Sequence, residues 1–112
     1  MKFLCLVYID SDKLETNPPE ECLSYAEELR QSGYRVSAEA LQCGPADADV
    51  MQVRHGKVTT TDGPFAETKE QLAGYYVVEV PDLDEAIRLI RGIPCAPAGR
   101  IEIRPIHELG AS

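Results

Sequence analysis

The chain has 112 residues, of which 44% are hydrophobic and 27% charged, a balance that suits one globular domain and excludes a disordered segment. Asp and Glu number 19 against 11 Lys and Arg, a net charge of −8. A nucleic-acid backbone or an anionic membrane would repel that charge, so neither is expected as a partner.

Met1-Lys2 and the apolar run Phe3 to Ile9 are too short for a signal peptide, and the run ends at Asp10 with no small-x-small site after it. No run reaches the ~18 apolar residues of a membrane span. A soluble, cytoplasmic protein is expected. Lys2 to Ile9 reads as a central strand apolar on both faces. Asn17-Pro18-Pro19-Glu20 reads as a helix start, with Asn17 as cap and Glu20 at capping-box spacing. Cys22, Leu23, Ala26 and Leu29 share one face of that helix, and Gly33 ends it in a left-handed conformation.

Tyr34 to Gln42 reads as the second strand. Val50–Arg54 and Lys57–Thr61 flank His55-Gly56, a two-residue hairpin turn that sets Val53 opposite Val58 and Met51 opposite Thr60. His55 belongs to turn chemistry there, not to catalysis. Thr68 and Gln71 have the spacing of one helical turn. Gly74 to Val80 is the strongest strand, and Pro81 ends it. Asp82 caps a second helix, with Leu83, Ala86, Ile87 and Ile90 as its buried stripe. Ile101 to Arg104 is a last short strand before Pro105. Cys5, Cys22, Cys43 and Cys95 lack C-x-x-C spacing and read as free core or surface thiols. No metal or other cofactor is expected.

The order is β-α-β-β-α-β with one extra strand in the middle. It predicts an α+β ferredoxin-like sandwich with both helices on one face of an antiparallel sheet. Several strands are apolar on both faces, so the uncovered face needs a partner, and a homodimer packed sheet on sheet supplies it.

The run Thr61-Asp62-Gly63-Pro64-Phe65-Ala66-Glu67-Thr68-Lys69-Glu70-Gln71-Leu72-Ala73-Gly74-Tyr75-Tyr76 closely resembles the signature of the YCII-related, DGPF-domain family. The likeness covers residues 1–106, leaving 107–112 as a C-terminal tail. Lys2 to Tyr8, Ala38 to Gln42, Val80 to Ala86 and Ile101 to Pro105 resemble further segments of that family. The resemblance implies a dimeric α/β barrel. YCII-like relatives have a proposed His-Asp acid–base pair whose histidine sits in the first helix, but Pro18 to Ser32 contains no histidine, so that dyad does not transfer. Some bacterial members lie in operons with sigma factors, which implies a regulatory alternative.

Asp62 and Glu39 are the candidate catalytic residues. Asp62 could bond its own backbone at the turn or serve as a general base. Glu39 stands in an otherwise apolar strand, facing either a solvated edge or a cavity. Tyr8, Tyr75, Tyr76, Phe65 and Lys69 are candidate substrate-binding residues. Tyr75 and Tyr76 are adjacent in a strand and so point to opposite faces. With no nucleophile motif or phosphate loop, the inventory favours proton transfer on a small organic molecule, as in isomerisation or elimination. The alternative is a non-catalytic regulatory or interaction module tied to a sigma-factor system.

Overall fold

The computed structural model describes residues 1–43, 48–62 and 69–109, the side chains of 61 and 62 excepted. Its elements run β1 (Lys2–Asp10), α1 (Pro19–Gln31), β2 (Arg35–Ala40), β3 (Asp49–Arg54), β4 (Lys57–Asp62), β5 (Glu70–Glu79), α2 (Leu83–Ile90) and β6 (Gly99–Pro105). Four strands form one sheet in the order β2-β5-β1-β6, and every neighbouring pair is antiparallel. That is the split βαβ arrangement of a ferredoxin-like α+β sandwich.

β1 lies at the centre, as its apolar run predicts. Phe3, Cys5, Val7 and Ile9 are buried, while Leu4, Leu6 and Tyr8 between them are half-buried. The buried set meets Val36 of β2 and Tyr76 and Val78 of β5. Ala26 and Leu29 of α1 and Ala86, Leu89 and Ile90 of α2 complete the core. Both helices therefore cover one face. The other face carries Leu4, Leu6, Tyr8, Leu72, Tyr75 and Val77 down the two central strands. Charged residues flank them, with Arg35 and Glu39 on β2 and Arg100, Glu102 and Arg104 on β6.

The hairpin takes the expected register, Val53 opposite Val58 and Met51 opposite Thr60. His55 and Gly56 both have positive φ, 53° and 77°, as a type I′ turn requires. Its two strands do not join the main sheet, however. They form a separate two-stranded sheet, so the middle of the chain adds a hairpin rather than one inserted strand. Local turn chemistry specifies how two strands pair with each other, but not whether a third accepts them.

Several details differ from the sequence expectation. Asn17 does not cap α1. Its Nδ2 donates to the Lys13 carbonyl at 2.8 Å, satisfying the short 3-10 turn Ser11–Lys13. Pro18 takes the cap position without a side-chain bond, which moves Glu20 out of capping-box register. Leu23 is 40% exposed. The C-terminus behaves as expected: Gly33 has φ +99°. The Tyr34 N–H reaches the Leu29 carbonyl at 3.1 Å, and the Gly33 N–H reaches that of Arg30 at 3.0 Å. Together these make a Schellman motif.

Asp82 caps α2, its Oδ1 accepting from the Glu85 N–H at 2.9 Å. The buried stripe is Ala86, Leu89 and Ile90, with Leu83 and Ile87 left exposed. Ile93 and Cys95, in the segment after the helix, are buried as well. Anchoring that segment in the core turns Leu89 inward and Ile87 out. β5 begins at Glu70, not Gly74, so Glu70 and Gln71 are strand rather than a helical turn, and Gln71 pairs with Ile9. β6 runs on to Pro105. An edge strand tolerates proline because the lost N–H faces no neighbour.

Between Val7 and Tyr8 the β1–β5 register slips, passing from Gly74 to Leu72 and leaving Ala73 as the extra residue. Gly74 lies there because a Cβ would stand 2.6 Å from the Glu39 carbonyl oxygen on β2. Gly74→Ala must push β2 and β5 apart. We expect it to lower stability by roughly 1–3 kcal/mol, read as a fall in Tm by thermal denaturation. An unchanged Tm would mean that the strand pair has slack at this point.

Candidate functional site

A cavity of about 240 Å³ lies between the start of α1 and the β1–β5–β2 part of the sheet. Val7, Ile9, Leu14, Leu23 and Ala38 give it apolar walls. Its chemistry comes from Cys22, Cys95 and Tyr76, which also line it. Strand alternation places Tyr76 on the helix side, where it is 3% exposed. Its hydroxyl donates to the backbone carbonyl of Cys22. Burial raises the Tyr76 pKa above the ordinary phenol value, with the nearby Cys22 and Cys95 adding to the shift. It is therefore a proton donor and packing group at neutral pH, not a base.

The two cysteine sulfurs approach to 2.8 Å. Cys22 is half-buried on the first turns of α1, and Cys95 is buried in the segment after α2. The hydrogen bond between them splits their titrations. Cys22 is lowered to about 7, chiefly by that bond and against the opposing effect of burial. Cys95 is raised, first by the same bond and then by burial. The contact therefore favours the thiolate on Cys22 and the thiol on Cys95. Cys5, wholly buried in the core, is pushed up to about 12 by desolvation.

The sequence-derived candidates fall into separate groups. Glu39 and Tyr75 are directly opposite each other across the β2–β5 pair. By alternation their side chains belong to the face away from the helices, although both residues touch the cavity edge. Glu39 is exposed. Tyr8 shares that face, with the Arg100 guanidinium 5.3 Å from its ring centroid. Arg100 in turn donates from Nε to Glu70 at 2.7 Å. Lys69 is exposed. Its carbonyl accepts from the Ser11 N–H at 2.7 Å, and Asp10 and Asp12 line the same shallow surface. Asp62 pairs with Asp49 at the open end of the hairpin; its side chain, like the whole of Phe65, lies outside the described residues. Tyr76 thus stands apart from Glu39, Tyr75 and Tyr8, on the other side of the sheet. Among the described residues, no group of three or more His, Cys, Asp or Glu is placed to hold a metal ion. No described helix is long and apolar enough to cross a membrane.

Sequence reasoning passed over Cys22 and Cys95. They lie 73 positions apart, and no local spacing connects them.

The family model of the YCII-related domain matches residues 1–110. The chain belongs to the YCII-related family. An uncharacterized protein of Rhizobium meliloti (strain 1021) is 45% identical over 58 residues, which is 48% of this chain and 47% of that protein. The chain therefore spans about half the length of the curated relative it matches. The YCII-related domain here has no histidine on α1, and the α1 residues lining the cavity are Pro19, Cys22 and Leu23.

The thiol pair has a direct readout. Alkylation of Cys22 by iodoacetamide, followed by peptide mass spectrometry, should rise with pH through about 7, because only the thiolate reacts. A midpoint near the ~8.5 of a free cysteine would show that the contact with Cys95 is not made in solution.

Proposed function

We propose that this YCII-related protein is a homodimeric, cytoplasmic binder of a small, largely apolar organic molecule. The cavity of about 240 Å³ beside α1 carries the reading. Ligand sites are concave and mostly apolar, with few polar groups to fix orientation, and here Tyr76, Cys22 and Cys95 supply those groups. The volume is below the roughly 300–1,000 Å³ of drug-sized ligand sites, which favours a compact ligand. Four free thiols accord with a reducing compartment.

Dimer formation is supported by the uncovered face. Leu4, Leu6, Tyr75 and Val77 form an apolar stripe between charged borders, the pattern of an interface with a dry centre and a polar rim. Two copies packed on this face give the dimeric α/β barrel that the family resemblance implies. Such packing encloses Glu39, Tyr75 and Tyr8 near the seam. There a desolvated carboxylate and phenol hydroxyls could perform acid–base chemistry of the isomerase or lyase kind. Asp62 remains a candidate catalytic residue, and Lys69 and Phe65 remain candidate substrate-binding residues.

A second reading, a non-catalytic interaction module, is favoured by the hairpin. Met51, Val53 and Val58 are 64%, 50% and 61% exposed. A two-stranded hairpin is marginal by itself in water, so a partner surface would stabilise it.

Thermal-shift screening against a metabolite panel tests the binding reading. A ligand at about 100 times its Kd stabilises by about 2.7 kcal/mol, on the order of 10 °C in Tm for a domain of this size. Ala38→Leu, which projects into the cavity, should abolish the shift while keeping a cooperative melt. A shift that survives Ala38→Leu would place the ligand elsewhere. The dimer has its own test. Leu6→Glu puts a charge on the uncovered face and should convert a dimer to a monomer in analytical ultracentrifugation. A wild-type chain that sediments as a monomer at micromolar concentration rejects the dimer.

A further inference from the structure

The two thiols at the cavity wall have geometry that small-molecule binding does not call for. Their sulfurs, 2.8 Å apart, are within about 0.8 Å of the length of a disulfide bond. They come from different elements, one on a helix and one on the segment after the other helix. Each is held in place: Tyr76 bonds the backbone carbonyl of Cys22, and Cys95 belongs to the buried core. Both sulfur-bearing residues line the cavity, on the helix side of the sheet and away from the proposed dimer face. The other two cysteines are placed differently. Cys5 is sealed in the core, and the Cys43 thiol donates to the Leu41 carbonyl at 3.3 Å.

We propose that Cys22 and Cys95 form a two-electron thiol redox site that reduces organic hydroperoxides entering through the cavity, with Cys22 as the attacking thiol and Cys95 as the resolving one. The inference goes beyond ligand binding and holds whether or not the cavity also receives another molecule. In the first step the Cys22 thiolate attacks the terminal oxygen of R–O–O–H. An S–O bond forms and the O–O bond breaks. The alkoxide leaves, takes up the proton that Cys22 released, and departs as the alcohol. Cys22 is then a sulfenic acid. In the second step the Cys95 sulfur attacks the Cys22 sulfur. An S–S bond forms, the S–O bond breaks, and hydroxide leaves with the Cys95 proton as water. Two thiols and one hydroperoxide become one disulfide, one alcohol and one water. The sulfurs lose two electrons and the peroxide oxygens gain them. A low-molecular-weight thiol, two equivalents per disulfide, restores the pair by exchange.

Three observations assign the order of attack. Cys22 is the more exposed of the two, so the oxidant reaches it first. The lowered Cys22 titration supplies thiolate near neutral pH, and the thiolate is the reactive form. Cys95 is buried and already in contact with the Cys22 sulfur, so the sulfenic acid is resolved without rearrangement of the chain. The apolar wall of Val7, Ile9, Leu14 and Ala38 favours a hydroperoxide with a hydrocarbon body.

The full reduced chain is treated with one equivalent of cumene hydroperoxide and then analysed by intact mass and peptide mapping. The expected product has lost two hydrogens, with one crosslink joining the Cys22 and Cys95 peptides while Cys5 and Cys43 are alkylated once the chain is denatured. Cys22→Ser should consume the hydroperoxide at least about tenfold more slowly. Cys95→Ser should stop at a Cys22 sulfenic acid that dimedone traps. Should Cys95→Ser fail to fold, the wild-type crosslink map decides the matter by itself. Oxidation that falls first on Cys43, or a Cys22→Ser variant that reacts as fast as wild type, overturns the proposal. So does a wild-type chain that forms no Cys22–Cys95 crosslink.

Discussion

The antiparallel pairing of β1 with β5 is the constraint on which the rest of the structure depends. It runs from Lys2 opposite Glu79 to Asp10 opposite Glu70, and it holds together the two most apolar segments of the chain. β2 joins through β5, and β6 joins through β1. Because side chains alternate along a strand, this one register decides which residues meet the helices and which meet the outside. The slip between Val7 and Tyr8 adds a local consequence. It brings Gly74 against the β2 backbone, and a bulge of this kind bends and twists the strand that carries it. The cavity lies beside this irregularity, with Ala73 and Gly74 among its lining residues.

The two faces of the sheet support different chemistry. On the helix side nearly everything is apolar, so the few polar atoms present are strongly perturbed. Burial raises Tyr76 and Cys5, and the contact between Cys22 and Cys95 separates two groups that would titrate alike in water. On the uncovered side the tyrosines, Glu39 and the arginines of β6 face solvent. A hydrogen bond or a charge counts for less there until something excludes the water. A second copy packed on that face would change the environment of Glu39 and Tyr75 more than any change within one chain could.

The hairpin marks a boundary between local and global specification. His55-Gly56 carries its own turn chemistry, so β3 and β4 pair as their residues predict. Nothing within those residues says whether the pair should extend the main sheet, and it does not. α2 shows the same limit on a smaller scale. Asp82 starts the helix where its side chain can bond the Glu85 N–H. The helix's rotation, however, follows from the burial of Ile93 and Cys95 beyond its end, which selects Leu89 over Ile87 for the core. Asn17 offers a third case. It is a sound cap by residue type, but it is drawn instead to the Lys13 carbonyl one turn upstream.

The order of elements, the apolar alternation of β1 and β5, the glycine that ends α1 and the opposite directions of Tyr75 and Tyr76 were all legible in the chain. Each follows from spacing over a few residues, where backbone geometry leaves few options. The family was legible too, from one long central motif. The candidate site was legible only in part. Glu39 and Tyr75 emerge as cross-strand neighbours once β2 and β5 are placed in register, but no local pattern says that Tyr76 rather than Tyr75 is the one buried on the helix side. Cys22 and Cys95 are the extreme case. They are 73 residues apart, and their contact exists only because both helices fold onto the same face of one sheet. Pairings of that range are decided by the closing of the core, and short-range spacing carries no trace of them.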